Sequence, residues 1–212
     1  MKIYSFPTFN LSKVLITAEE LNLEYDFILF DISKSEHKSA EHLARHPLGK
    51  VPALELDGRY FFESNSICRL LAEKNGNKLY SDDLYERAQI NQWMDLMSQH
   101  LGRWMAVLFF QEALKPNLFG GQADQTQIDE ANGFLDQQLP VLEKALQNNA
   151  FIINDSLTIA DIIAFSYCQT HNYSSLSFDN YPHIMQWFEN IQTRPSYAQA
   201  MANFPQGSII PG

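Results

Sequence analysis

The sequence predicts an α/β N-terminal domain, with elements in the order β-α-β-α-β-β-α, followed by an all-helical C-terminal domain. Strand-like runs of β-branched and aromatic residues are concentrated in the first third of the 212 residues and become scarce beyond it. The pair Asp57-Gly58 separates two such runs, which is the pattern of a tight hairpin. After Lys78–Asp83, which we interpret as a linker, apolar residues recur at helical spacings. We therefore expect domains at residues 1–77 and 84–212.

The N-terminal domain begins with a strand, a helix and a second strand. Lys2–Phe6 is a short run of β-branched and aromatic residues that Pro7 ends, so we expect a strand there. The stretch Asn10–Leu21 carries apolar residues at helical spacing, with Asn10 available as the N-cap. Tyr25–Phe30 predicts the second strand. A strand–helix–strand unit of this length indicates a right-handed crossover between parallel strands.

A short helix, a hairpin and a longer helix complete this domain. Ser39–Arg45 predicts the short helix, and the hairpin strands are expected at Pro52–Leu56 and Arg59–Phe62. Ser64 is a good N-cap, and an apolar stripe follows it at helical spacing, so we expect the next helix to begin at this residue.

Two long helices should open the C-terminal domain. Leu84–Leu114 predicts one continuous helix, and Gly102 inside it indicates a bend or close packing against a neighbour. The second helix is expected at Asp124–Leu146, with a kink at the internal Pro140.

The centre of the C-terminal domain should be the helix Ile159–Thr170, which is apolar on nearly all faces. Thr158 and Asp161 form a variant of the capping box at its start. Two further helices are predicted to open at Tyr181-Pro182 and Arg194-Pro195, because proline is favoured at the first helical position.

Composition narrows the class of protein. The formal net charge of −10 and a pI near 4.9 argue against nucleic-acid binding, which prefers a basic face. The start MKIYSFP is not a signal peptide, and no run approaches the roughly 20 apolar residues of a membrane span, so we expect a cytoplasmic protein without a membrane segment. Cys68 and Cys168 lie in apolar helical patterns and should be buried free thiols. The six histidines show no metal-ligand spacing, so no metal is expected.

The stretch Arg45–Ile67 combines three features that suit a peptide ligand. The backbone of Val51, directly before Pro52, is held extended and could pair with a short extended peptide. A helix start at Ser64 offers free N–H groups to a carboxylate, and Glu63 beside it could bind an ammonium group. The predicted ligand is therefore a small peptide with a free amino-acid head.

The pattern G-K-V-P-A-L…D-G…E-S-x-x-I in this stretch resembles the glutathione-binding half of the glutathione transferases. The phrase YPHIMQWFENIQTRPSY resembles their C-terminal region, so the resemblance covers nearly the whole chain and identifies a cytosolic-type, bacterial transferase with phi-like and nu-like features. It implies a thioredoxin-like N-terminal domain with Val51-Pro52 at the position of its cis-proline. It also implies that Val51 pairs with the cysteinyl backbone of glutathione, and that Glu63 and Ser64 hold its γ-glutamyl end.

The resemblance extends to the other groups that would bind glutathione. The spacing from His37 to Val51-Pro52 is similar to that of the phi-like proteins, in which a histidine meets the glycine carboxylate. Lys50 stands beside the same place, and both side chains are cationic donors for a carboxylate. We expect His37 and Lys50 to contact this end of glutathione.

The loop after the first strand should activate the thiol. No tyrosine follows the strand, and Phe9 occupies one of the two places where the family carries a serine donor. The pattern Pro-Thr-x-Asn-x-x-Lys looks most like the nu-type proteins, in which the threonine and asparagine approach the sulfur, so Thr8 and Asn10 are the expected donors. Both also have plain structural interpretations, as a turn hydroxyl and a helix cap. Ser12 is expected at the surface and is the next candidate donor.

The expected function is that of a glutathione transferase, with glutathione as co-substrate and its thiolate attacking an apolar electrophile, a peroxide or a disulfide. The nu-like loop favours reduction slightly over conjugation. The alternative is a non-catalytic binding protein with the same fold, which would have lost its ligand-binding residues. The second substrate is expected against Arg103, Trp104, Leu108 and the tail around Phe204, because the long helix is rich in Met and aromatic residues. A homodimer, paired through the helix from Ser64 and the long helix, is expected from the resemblance.

Overall fold

A computed structural model describes residues 1–205 and residue 208. Its sheet has four strands in the order β2-β1-β3-β4. They are β1 (Lys2–Ser5), β2 (Asp26–Leu29), β3 (Ala53–Leu56) and β4 (Arg59–Phe61). Strand β1 pairs with β2 in parallel, and β3 pairs antiparallel with both β1 and β4. The parallel pairing predicted for the first two strands and the predicted hairpin are therefore confirmed, and the hairpin turns at Asp57 and Gly58 with φ of 52° and 73°.

Three helices belong to this domain, and two of the predicted caps were wrong. The helices are α1 (Phe9–Glu20), α2 (Ala40–Arg45) and α3 (Ser64–Lys74), and 3-10 turns at Ile32–Lys34 and Glu36–Lys38 precede α2. The cap of α1 is Thr8 instead of Asn10, because its Oγ1 accepts a hydrogen bond from the Leu11 N–H at 2.9 Å. Ser64 is the first residue of α3, and Glu63 occupies the N-cap position without a side-chain capping bond.

The C-terminal domain is helical. Its helices are α4 (Leu84–Leu96), α5 (Gly102–Phe109), α6 (Lys115–Leu118), α7 (Gln125–Leu146), α8 (Ile159–Cys168), α9 (Pro182–Gln192) and α10 (Pro195–Met201), and a 3-10 turn at Gln169–Tyr173 follows α8. The single helix predicted for Leu84–Leu114 is a longer helical run that contains π-helical turns at Met97–Leu101 and Phe110–Leu114. Helix α7 continues through Pro140.

Gly102 stands where α5 packs against α8. A Cβ atom at this position would lie 2.5 Å from the Met97 carbonyl oxygen and 2.6 Å from Cγ of the Tyr167 ring. Both distances are below van der Waals contact, so the close packing that the sequence indicated is confirmed. The ring of Tyr167 takes the space that any other residue at position 102 would need.

Helix α8 is the buried centre of the helical domain, as predicted. Its capping box is present, with Thr158 and Asp161 bonded reciprocally. The buried Asp161 carboxylate also accepts hydrogen bonds from the Ile152 N–H at 2.8 Å and from Trp187 Nε1 at 3.1 Å. The carboxylate therefore joins the start of α8 to the preceding loop and to α9.

Direct polar contacts fasten the two domains together. The linker carbonyl of Leu79 accepts a hydrogen bond from the Ile159 N–H at 2.8 Å. Arg194 donates to both carboxylate oxygens of Glu20, at 2.5 and 2.8 Å. Ser12, expected at the surface, is fully buried and donates to Gln169 Oε1 at 2.8 Å. That expectation was wrong because α8 and the turn after it cover this face of α1, and the hydroxyl is committed to the interface.

The two cysteines are free and buried, as predicted. Over the residues that the structure describes, no helix combines the length and the apolar character that a membrane crossing requires. The same residues contain no group of three or more histidine, cysteine or acidic side chains that could hold a metal ion.

Candidate functional site

A cavity of about 320 Å³ opens between the α/β domain and the helical domain, and we call it the polar cavity. Its lining comprises Asn10, His46, Lys50, Val51, Pro52, Glu63, Ser64, Asn65, Ser98, Gln99 and Tyr167. Six of the eight residues that the sequence indicated for the thiol and the peptide are therefore brought together here, all except Thr8 and His37. The volume is in the range of small-molecule sites, at its lower end.

Val51 presents its backbone at one wall of the polar cavity. The Val51-Pro52 peptide bond is cis, as the resemblance implied. The ladder between β1 and β3 begins at the pair Tyr4 and Ala53, so Val51 lies outside it. Within the described chain the Val51 backbone makes no hydrogen bond, which leaves its N–H and carbonyl available to an extended peptide.

The opposite wall is the start of α3. Glu63 holds a backbone conformation with φ of 66° and ψ of 105°, which is rare for a residue with a side chain. Ser64 follows as the first helical residue, so the N–H groups of the first turn of α3 have no partner within the helix. These groups and the positive end of the helix dipole favour a carboxylate at this wall. The Ser64 hydroxyl donates to Asn10 Oδ1 at 3.2 Å.

Thr8 and Asn10 both keep a free donor. The Thr8 oxygen accepts the capping bond from Leu11, and within the described chain its O–H donates to no protein atom. Asn10 uses its carbonyl oxygen for Ser64, and its NH₂ group makes no hydrogen bond within the same residues. Each side chain can therefore donate to a sulfur without giving up the bond that orients it.

His37 does not line the polar cavity. Its ring lies edge-on to Phe6, with centroids 5.4 Å apart, and its buried Nδ1 has no hydrogen-bond partner among the residues that the structure describes. Burial and the charge of Lys38 lower the pKa of His37. The backbone of His37 does lie near Lys50, because a Cβ on the adjacent Gly49 would come within 2.7 Å of the His37 carbonyl oxygen. A contact between His37 and the glycine carboxylate stays a prediction.

His46 is a lining residue that the sequence reasoning missed. The Leu48 N–H donates to its Nδ1 at 3.2 Å, so the ring proton of the neutral form belongs on Nε2. Burial lowers the pKa of His46, although the nearby Glu63 charge opposes the shift. Its neighbour His42, also missed, makes a hydrogen bond of 2.8 Å between Nε2 and the Lys50 carbonyl. The two histidines therefore support the segment that carries Lys50 and Val51.

Asn65, Ser98, Gln99 and Tyr167 were also missed. They come from three separate elements, and Asn65 Nδ2 ties two of these together by donating to Ser98 Oγ at 2.7 Å. Ser98 and Gln99 lie in the π-helical turn Met97–Leu101, whose extra residue per turn changes which side chains face the α/β domain. No local motif marks such residues, because only the packing of the domains brings them together.

A second cavity, of about 550 Å³, lies against the carboxyl ends of β1 and β2, and we call it the apolar cavity. Its lining comprises Phe6, Pro7, Thr8, Leu29, Phe30, Asp31, Ile32, Phe110, Leu114, Leu118, Phe119, Pro205 and Ser208. Thr8 belongs to this lining, whereas Asn10, two residues later, belongs to the polar cavity. We call residues 7–10, which run from the end of β1 into the first turn of α1, the activation loop, and this loop separates the two cavities.

Arg103, Trp104 and Leu108 line neither cavity. Leu108 is completely buried in the core, and Trp104 stacks on Phe134 of α7 at 4.4 Å, with the Arg103 guanidinium 4.8 Å from the indole ring. The apolar cavity is instead lined by another stripe of the same helical run, at Phe110, Leu114 and Leu118. From the tail, Phe204 is buried and Pro205 reaches the lining.

Comparison with known proteins places these features in one family. The glutathione S-transferase N-terminal domain model matches residues 1–73, and the C-terminal domain model matches residues 93–195. The probable glutathione S-transferase GSTF2 of Oryza sativa subsp. japonica is 32% identical, over 92% of this chain and 93% of its own. Glutathione S-transferase 1 of Zea mays is also 32% identical, over 95% of this chain and 96% of its own.

Solved structures of glutathione transferases have the same fold as this protein over nearly the whole chain. Glutathione transferase F7 from Populus trichocarpa has a TM-score of 0.88 at 28% identity, covering 96% of this chain and 99% of its own. A glutathione S-transferase-I bound with lactoylglutathione has a TM-score of 0.86 at 31% identity, covering 95% of this chain and 98% of its own. Maize glutathione S-transferase I with an atrazine–glutathione conjugate has a TM-score of 0.85 at 32% identity, covering 95% of this chain and 96% of its own.

Proposed function

The chain belongs to the glutathione S-transferase family and is a glutathione transferase, and we propose that its polar cavity binds glutathione while its apolar cavity binds the electrophile. The observation that carries this proposal is the position of the activation loop, with Thr8 in the lining of one cavity and Asn10 in the lining of the other. A sulfur atom between these donors would meet a substrate from the apolar side.

In this proposal the peptide spans the polar cavity from β3 to α3. The free backbone groups of Val51 pair with the cysteinyl residue, which leaves its thiol beside the loop. The γ-glutamyl carboxylate binds at Ser64 and the first turn of α3, and its ammonium group binds Glu63. Lys50 and His37 take the glycine carboxylate. The alternative of a non-catalytic binding protein predicted loss of such groups, whereas all of them are present here and all except His37 line one cavity.

Thiolate formation needs only hydrogen-bond donors. A free thiol has a pKa of about 8.5, and a hydrogen bond to a charged group contributes about 1.5–3 kcal/mol. Since one pKa unit equals about 1.4 kcal/mol, one well-placed donor lowers the thiol pKa by about one or two units. Thr8 and Asn10 share this role. In conjugation, the thiolate forms a bond to the electrophilic carbon, and the leaving group departs with its bonding electrons.

The bound relatives support two adjoining subsites. One solved relative holds lactoylglutathione and another holds an atrazine–glutathione conjugate, so in each case the ligand is glutathione with a group attached. Here that group would enter the apolar cavity, where Phe110 and Phe119 pack with ring centroids 5.9 Å apart. Apolar and aromatic electrophiles suit such a lining. The free donors on Thr8 and Asn10 also suit reduction of a peroxide or a disulfide.

We also propose a cytoplasmic homodimer, with subunits built from domains at 1–77 and 84–212. The family matches at 1–73 and 93–195 support that division. Leu84 and Tyr85 at the start of α4 are 71% and 79% exposed, and a partner subunit would cover them. Light scattering at micromolar concentration should give a dimer mass, and a monomer mass would refute this part of the proposal.

Retention on immobilised glutathione, followed by elution with free glutathione, tests the binding step most simply. An activity panel with an aryl halide, a peroxide and a mixed disulfide tests the chemistry. We expect retention and turnover of at least one substrate that depends on glutathione. Passage through the column together with an inactive panel would contradict the proposal.

A further inference from the structure

Lys13 is a lysine without any exposed surface. It lies on α1, and its ammonium group donates to Asn65 Oδ1 at 3.2 Å. The Tyr167 ring centroid is 4.3 Å from Nζ, and the Phe9 centroid is 5.8 Å away. Asn65 and Tyr167 line the polar cavity, so the charge lies one side chain behind the cavity wall.

This position is costly for a charged group. A buried ammonium is normally paired with a carboxylate, because transfer from water penalises the charged form. Among the described residues no acidic side chain forms an ion pair with Lys13, and Asn65 supplies a neutral oxygen. Burial lowers the pKa of Lys13 to about 8. At neutral pH the folded protein therefore holds the Lys13 ammonium as a buried positive charge with no carboxylate paired to it.

The groups around Lys13 leave this charge uncompensated. On the α3 side, the Glu63 carboxylate favours the charged form, but it faces the cavity as an exposed group. The Cys68 thiol has its pKa raised to about 11 by burial and is neutral near pH 8. On the α8 side, burial raises the pKa of Tyr167, which is also neutral. On the α10 side, Arg194 is paired with Glu20, about 10 Å along α1 from Lys13.

We propose that Lys13 is a positioning residue whose buried charge, acting through Asn65, holds the γ-glutamyl carboxylate of glutathione at the start of α3, so that binding takes up a proton at alkaline pH. The inference rests on the proposed function. A ligand carboxylate beside Asn65 stabilises the ammonium form of Lys13. By linkage, loss of the Lys13 proton must weaken ligand binding by the same factor.

The test uses S-methylglutathione, because this ligand has no thiol whose ionisation would mask the effect. Calorimetry between pH 7 and 9.5 should compare the wild type with Lys13→Met and Lys13→Arg. Arginine stays charged over this range, whereas methionine is never charged. The ligand's own amino group titrates in the same way for all three proteins, so differences among the profiles belong to Lys13.

Four results are expected. At pH 7, Lys13→Met binds S-methylglutathione about tenfold more weakly than the wild type does. Between pH 7 and 9.5, the wild type loses about tenfold more affinity than Lys13→Arg does. At pH 8 to 9, calorimetry in buffers of different ionisation enthalpy shows extra proton uptake for the wild type alone. Lys13→Met should also keep or raise the Tm, because an apolar side chain of similar volume replaces a buried charge.

Two outcomes would overturn the inference while leaving the proposed function in place. One is an identical pH profile for the wild type and both variants. The other is undiminished affinity of a folded Lys13→Met protein at pH 7. If Lys13→Arg does not fold, the methionine variant and the wild-type proton uptake still decide the question. If the wild type does not bind S-methylglutathione at any pH, the proposed function is contradicted, and this inference with it.

Discussion

The polar and apolar cavities meet at the activation loop, yet they are built in different ways. The polar cavity takes its main groups from one continuous stretch, residues 50–65, and backbone groups at Val51 and α3 carry the contacts proposed there. The apolar cavity gathers side chains from the loop after β1, the end of β2 with the segment after it, the helical run after α5 and the C-terminal tail. A constant ligand can be held by backbone whose geometry is set locally. Variable substrates suit side chains that can adjust.

This contrast leads to different expectations for mutations. Changes in the polar cavity should alter the affinity for glutathione whichever electrophile is used. Changes in the apolar cavity should alter discrimination among electrophiles and leave glutathione binding intact. Five sets of variants test whether the cavities are separable in this way, and they are taken from the largest expected effect to the smallest.

Gly102→Ala should have the largest effect, because it places a Cβ within 2.6 Å of the Tyr167 ring. We expect a loss of about 2–3 kcal/mol in the free energy of unfolding and weaker glutathione binding, since Tyr167 lines the polar cavity. Chemical denaturation and calorimetry check both. The control is Gly133→Ala in α7, where an added Cβ would meet no atom of the described chain within 4 Å and a small gain in stability is expected. Equal effects at the two glycines would contradict this account of α5–α8 packing.

Ser64→Ala removes a proposed contact to the γ-glutamyl carboxylate. Calorimetry with glutathione should show a loss of about 1–3 kcal/mol in binding free energy, with no change in the relative rates for different electrophiles. Ser66→Ala is the matched control, because this exposed serine on the same helix turn lies outside the cavity. Unchanged affinity in Ser64→Ala would remove the anchor proposed for the ligand.

Thr8→Ala and Asn10→Ala should each cost about 1–2 kcal/mol in transition-state stabilisation, or about 5- to 30-fold in rate, because each removes one donor to the sulfur. The pKa of the bound thiol, followed by thiolate absorbance, should rise in both variants. Thr8→Ala also removes the cap of α1, so Thr8→Ser serves as the control that keeps the cap and the hydroxyl. Loss of the thiolate signal in Thr8→Ala with no effect of Asn10→Ala would indicate a single-hydroxyl site.

Phe110→Ala should cost about 1 kcal/mol in transition-state stabilisation for an aryl halide, measured as a lower kcat/KM. The reason is that it removes an aromatic wall of the apolar cavity. Affinity for glutathione should not change. Phe134→Ala is the matched control, since Phe134 is similarly exposed (37% against 41%) but stacks on Trp104 outside both cavities. If Phe134→Ala lowers kcat/KM and Phe110→Ala does not, the electrophile binds at Trp104 after all.

Glu20→Gln should affect neither cavity and should change acid stability modestly. Burial alone would raise the pKa of Glu20, but the bonds from Arg194 and Ser196 outweigh it and lower the pKa. Because the folded-state pKa is lowered, the contribution to stability is present above the unfolded-state value of about 4.5 and is lost as the pH falls through the folded-state value. The variant should lose about 0.5–1 kcal/mol at pH 7 and show a shallower acid transition. A change in glutathione affinity would contradict the separation.

The parts that the sequence predicted correctly are those set by local chemistry. The Asp57-Gly58 turn and the capping box of Thr158 and Asp161 each depend on a few adjacent residues, and each is present. The cap of α3 was misplaced by one residue, because Ser64 has the right chemistry but Glu63 adopts the positive φ that ends the preceding strand segment.

Residues that depend on packing between domains were not predictable from local patterns. Ser12 and Lys13 resemble surface residues in sequence, and only the packing of other helices against α1, α3 and α8 among them, buries them. Trp104 and Phe110 belong to different stripes of the same helical run. Which of them lines the cavity proposed for the second substrate depends on which stripe meets the α/β domain. The π-helical turns also change which side chains of that run face the α/β domain, and no sequence pattern marks where these turns occur.

Glutathione and the group attached to its sulfur are proposed to occupy separate, adjoining cavities. Calorimetry with S-methylglutathione and S-hexylglutathione tests this arrangement most directly, on the wild type, Ser64→Ala and Phe110→Ala. The hexyl ligand should bind the wild type at least about tenfold more tightly, because its extra methylene groups are buried at up to about 0.8 kcal/mol each. Ser64→Ala should weaken both ligands by the same factor, and Phe110→Ala should weaken only the hexyl ligand. Equal affinities for the two ligands, or loss of both in Phe110→Ala, would contradict this arrangement.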